Sequence, residues 1–71
     1  MADGELLNNA MDELELIERN LILIDALKAI QPAGIIRLSE YTSLPRHKVR
    51  YSLRLLEGAG IVGATTEGAV L

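Results

Sequence analysis

IIRLSEYTSLPRHKVRYSLRLLEGAGIV, residues 35–62, is the stretch whose reading decides the fold. It opens on a short amphipathic segment in which Ile35 or Ile36, Leu38 and Tyr41 recur at helical spacing, so they are expected to face inward. Ser43 and Leu44 form a turn, and Leu44 is expected to pack back as a plug. Pro45 suits the first position of a new helix, where its missing N–H costs nothing. Val49, Leu53 and Leu56 then fall at steps of four and three and define a buried face, with the small Ser52 beside them. Gly60 is placed to stop this helix in a left-handed conformation, with Ile61 packing back behind it. The pattern predicts helices over residues 35–42 and 45–58 joined by a tight turn.

Downstream, IVGATTEGAVL reads as a small hairpin, with strands at residues 61–64 and 69–71. The turn is expected at residues 65–68, where Gly68 can take positive φ. Upstream, Leu7, Met11, Leu14, Ile17, Leu21, Ile24 and Leu27 recur in steps of three and four. Neither glycine nor proline interrupts the chain between Glu5 and Gln31, so a long helix is expected from Leu6 or Met11 to Ile30, within residues 6–31, ended by Pro32 and Gly34. Residues 1–5 are expected to be disordered. The fold class that follows is mainly α with a small β-hairpin: one domain over residues 1–71, three helices, the first of them extended.

Net charge is −3, but it is unevenly spread. Residues 1–31 hold seven acids against Arg19 and Lys28, giving −5; residues 32–71 hold five bases against Glu40, Glu57 and Glu67, giving +2. The acidic half reads as a solvated helix face. The absence of cysteine excludes disulfides and thiolate metal sites and fits a cytoplasmic protein. No apolar run approaches the roughly 20 residues of a bilayer span, so no membrane partner is expected. The one histidine has no cysteine to join it, and no metal is expected. No nucleophile–base pair is apparent, and the GAGIVG around Gly58–Gly63 lacks the strand and helix that a phosphate-binding loop requires. The chain is therefore read as a non-enzyme, with no cofactor and no small-molecule ligand.

Positive charge gathers on the second of the two linked helices. Arg46, Lys48, Arg50 and Arg54 are four of the seven bases, set within nine residues, with His47 and Tyr51 among them. At roughly 100° per residue, His47, Tyr51 and Arg54 point away from Val49, Leu53 and Leu56, with Arg50 and Lys48 flanking and Arg46 nearer the buried side. A helix fits the major groove of DNA, arginine can hold guanine by two hydrogen bonds, and bases at the groove edge neutralise phosphates. The bland alternative is a solvated basic face. His47 is either a groove contact or an ordinary exposed residue, Tyr51 either touches the DNA backbone or packs at the core edge, and Arg37 is expected in an ion pair with Glu40.

The stretch LSEYTSLP followed by HKVRYSLRLLEGAGIV strongly resembles the winged helix-turn-helix proteins, especially small archaeal transcriptional regulators. The resemblance covers about residues 35–71, roughly half of the chain. It implies that the helix after the turn is a recognition helix, that the hairpin is a wing, and that Arg46, His47, Lys48, Arg50, Tyr51 and Arg54 stand where such proteins contact double-stranded DNA. The tip, residues 64–68, departs from wings that grip DNA: it holds no base and one acid, Glu67. That departure keeps open a protein-interaction role without DNA affinity, and RNA is a further alternative. The first helix is longer than a three-helix core needs, so Leu7, Met11, Leu14 and Ile17 are expected to pair two copies into a homodimer.

Overall fold

A computed structural model describes residues 2–71. In chain order the elements are α1 (Ala2–Ile30), α2 (Ile35–Thr42), α3 (Arg46–Gly58), β1 (Gly63–Thr65) and β2 (Gly68–Val70). Three helices and a two-stranded antiparallel hairpin are compatible with a helix-turn-helix followed by a wing. Helix α1 begins at Ala2, ahead of the expected start at Leu6 or Met11, and takes in most of the segment expected to be disordered; Met1 lies outside the described residues. Only Gly4 disfavours helix there, by roughly 1 kcal/mol, which the continuous helix behind it outweighs. At 29 residues α1 spans about 43 Å by its rise of about 1.5 Å per residue and accounts for the 47 Å long axis of the molecule.

The core lies where the C-terminal half of α1 meets α2 and α3. Leu23, Ala26 and Leu27 of α1 pack with Leu38 of α2 and with Val49, Leu53 and Leu56 of α3. Ser52 is buried among them, and Leu44 packs against the cluster as expected of a plug. Of the pair Ile35 and Ile36, Ile35 turns inward and Ile36 is exposed. Tyr41, expected in the core, is 56% exposed. Thr42 takes the inward position instead: its hydroxyl donates to Leu38 O at 2.6 Å and accepts from Leu44 N–H at 3.2 Å. The hydroxyl of Ser39 donates to Leu44 O at 2.5 Å, and Ser43 adopts left-handed φ (63°), so the turn between α2 and α3 is fixed from both sides. Pro45 stands one place ahead of α3, as its N-cap, and its carbonyl accepts from Lys48 N–H and Val49 N–H at 3.0 Å each.

Helix α3 ends in a Schellman motif: Gly60 has φ 77°, its N–H donates to Glu57 O, and Ile61 N–H donates to Leu56 O. The reversal carries Val62 into the core and leaves Ile61 exposed, opposite to the expectation that Ile61 packs back. The strands are three residues each and shifted from the expected spans: Gly63 pairs with Val70, Ala64 with Ala69 and Thr65 with Gly68. The tip is closed by Thr65, whose hydroxyl donates to Gly68 O at 2.7 Å and accepts from Glu67 N–H at 3.2 Å. One pairing has no counterpart in the sequence reading. Ala33, between α1 and α2, bridges Ala69 by two backbone hydrogen bonds of 3.1 and 2.8 Å and so ties the hairpin to the helices. Gln31 Oε1, accepting from Leu71 N–H at 2.8 Å, reinforces the tie. No described helix is long and apolar enough to cross a membrane.

Candidate nucleic-acid interface

Helix α3 buries Val49, Ser52, Leu53 and Leu56, and the residues between them form an outward arc. The arc is divided by its neighbours. On one edge His47, Lys48 and Tyr51 share a groove of about 520 Å³ with Asp12, Glu13, Leu16 and Arg19 of α1. On the other edge Arg46 and Arg50 share a groove of about 750 Å³ with Arg37 and Glu40 of α2 and with Glu67 at the hairpin tip. Arg50 and Arg54 continue along α3 into a smaller groove against Thr65 and Gly68.

The acidic edge has a definite partner structure. Lys48 Nζ donates to Glu15 Oε1 at 2.9 Å, and the same oxygen accepts from Arg19 Nη2 at 3.4 Å. Arg19 Nη1 reaches across to the buried Ser52 hydroxyl at 3.3 Å. Glu15 is therefore a clasp between α1 and α3. The hydrogen bond from Lys48, then its positive charge, and then the hydrogen bond from Arg19 hold the Glu15 carboxyl below its ordinary range. A carboxylate with a lowered native pKa stabilises the fold above the ordinary glutamate value of about 4.3, and the contribution disappears as pH falls through the lowered value. Glu15→Gln is expected to flatten the acid limb of thermal stability, read as melting temperature between about pH 6 and about pH 3. The change should be small and diminish in high salt, because the Glu15 side chain is 57% exposed.

The six residues read from the sequence thus separate. His47 and Tyr51 are exposed beside α1, and Tyr51 does not pack into the core. Lys48 is half-buried and engaged by Glu15, which makes it a less available phosphate ligand than the sequence suggested. Arg46, expected near the buried side, is exposed. Arg46, Arg50 and Arg54, at spacing of four, have no carboxylate within ion-pair distance among the described residues. Neither does Arg37, so its expected ion pair with Glu40 is not formed. The free set is four arginines on α2 and α3, facing the hairpin rather than α1.

No family model, curated protein or solved structure matches the chain. Among the described residues no group of three or more His, Cys, Asp or Glu side chains is arranged to hold a metal ion. The sequence pointed to the basic arc but missed its division. Glu15 and Arg19 were legible as a helical i, i+4 pair, whereas the Glu15–Lys48 contact spans 33 residues and leaves no local signal. The four side chains expected at a dimer interface, Leu7, Met11, Leu14 and Ile17, are all more than half exposed.

Proposed function

We propose that this chain is a winged helix-turn-helix regulator that binds double-stranded DNA as a homodimer in the cytoplasm, with α3 entering the major groove. The observation that carries this reading is the unpaired stripe Arg46, Arg50 and Arg54, with Arg37 beside it on α2. Exposed guanidinium groups without carboxylate partners are free to hold guanine edges or phosphates. The acids of α1 lie at the opposite edge of α3, so contact is favoured on the side of α3 that faces the hairpin. The hairpin itself contributes no base, and its Glu67 is placed to limit how closely phosphates approach the tip.

Selection of bound sequences from a random DNA pool tests the reading. A twofold-symmetric site is expected, with affinity falling steeply as salt rises, because each neutralised phosphate adds about 0.9 to the logarithmic salt slope. No affinity for duplex DNA at low salt would overturn it, and preference for single-stranded RNA would redirect it. Glu67 at the mouth of the arginine groove and the net charge of −3 favour one second reading, a protein-interaction module that uses the same arginines for an acidic partner. Co-purification of such a partner with no nucleic acid retained would select it.

A further inference from the structure

Seven large apolar side chains of α1 are exposed: Leu6, Leu7, Met11, Leu14, Ile17, Leu21 and Ile22. Their positions are symmetric about Leu14. Leu6 and Ile22 lie eight residues to either side, Leu7 and Leu21 seven, Met11 and Ile17 three. At roughly 100° per residue their centre, at Leu14, falls nearly opposite Leu23, Ala26 and Leu27, which face the core, with Leu6 and Ile22 at the two flanks. The stripe therefore lies outside the domain's own packing.

We propose that this stripe pairs with the same stripe of a second copy in antiparallel orientation, with the twofold axis passing Leu14. The proposal deepens the homodimer part of the function proposed above and does not depend on DNA binding. A twofold contact between identical helices running in opposite directions brings residues equally distant from the axis to the same level. Here that rule sets Leu7 against Leu21 and Leu14 against itself at the centre of the seam, while Met11 with Ile17 and Leu6 with Ile22 share a level on opposite flanks of it, so the apolar surface is continuous along both sides of the contact. The seven side chains extend over 16 residue steps, or about 24 Å.

Charge favours the same orientation. Asp12 and Glu15 turn toward α3, so the acid beside the stripe is Glu18, about 40° from Leu14 around the helix; in parallel register it would lie level with an identical acid. Antiparallel pairing places Asp12 level with Leu16 and Glu18 level with Ala10. Two acid–acid levels remain: Glu13 with Glu15, a carboxylate already engaged by Lys48 and Arg19, and Asp25 with Asp3, beyond the ends of the stripe. The helix dipoles also oppose each other favourably.

Cysteine cross-linking of the full chain tests the orientation, since no native cysteine interferes. A disulfide requires Cα atoms within about 7 Å. Antiparallel pairing separates the two copies of Leu7 by about 21 Å along the helix, whereas parallel pairing sets them side by side. Under a mild oxidant, Leu14→Cys is expected to become mostly covalent dimer. Leu7→Cys alone and Leu21→Cys alone are expected to stay mostly uncross-linked, and their mixture to yield the mixed dimer. Circular dichroism confirms that each variant remains helical. Efficient cross-linking of Leu7→Cys alone would overturn the antiparallel arrangement and leave the dimer standing. A 7.7 kDa species in light scattering, with no cross-link at any position, would remove the dimer altogether while the DNA selection still tests binding.

Discussion

Replacing Arg46, Arg50 and Arg54 together by alanine is expected to abolish specific DNA binding. Each bidentate arginine–guanine contact is worth about 1–3 kcal/mol of discrimination, so Arg50→Ala alone should cost that much if Arg50 reads a base. The triple variant should lose at least roughly 3 kcal/mol, more than about a hundredfold in affinity. Those arginines that hold phosphates should each lower the logarithmic salt slope by about 0.9. The three side chains are exposed, so the fold should survive. Lys48→Ala provides the contrast: its ammonium is held by Glu15 at 2.9 Å, so its loss should change affinity far less. Fluorescence anisotropy across a salt series measures both. A triple variant with unchanged affinity and slope would rule out the arginine stripe as the contact surface.

A second large effect is expected on stability, from Gly68→Ala. Gly68 has φ 136°, and a Cβ built there would lie 2.6 Å from Ala33 C and 2.8 Å from the amide nitrogens of Ala33 and Gly34. All three are backbone atoms, so no flexible side chain can move aside. Backbone strain of about 1–3 kcal/mol and overpacking of about 1–3 kcal/mol together imply about 2–6 kcal/mol. A 71-residue domain has a total stability of only about 4–11 kcal/mol at the usual value per residue. Gly60→Ala is the control: φ there is 77°, but the added Cβ meets open space, so about 1–2 kcal/mol is expected. Urea melts of the two variants decide the matter, and equal midpoints would refute the close approach at Ala33.

The helices of this protein were legible because their causes are local. The spacing of Val49, Leu53 and Leu56 defines the buried face of α3 within its own turns, and Gly60 stops the helix through its own φ. Of the α1 periodicity read from the sequence, Leu7, Met11, Leu14, Ile17 and Leu21 are exposed, but it ran on into the core through Ile24 and the buried Leu27, and Leu6 and Ile22 joined the stripe only once exposure separated it from the core face. Tyr41 was misplaced because helical spacing gave it and Thr42 comparable claims to the inward position, and the hydrogen bonds of Thr42 to Leu38 and Leu44 settled the choice.

By itself, the sequence determined three helices, a short hairpin and a concentration of basic residues on α3, since periodicity, proline and glycine placement and charge are properties of neighbouring residues. Only the tertiary structure decided which of those bases are free. Lys48 and Glu15 are 33 residues apart and meet because α1 packs against α3, whereas Arg46, Arg50 and Arg54 face the hairpin, where no acid comes within ion-pair distance. The bridge from Ala33 to Ala69 belongs to the same class: two alanines carry no pairing signal, and their backbones meet only after the core has brought the hairpin back to the end of α1.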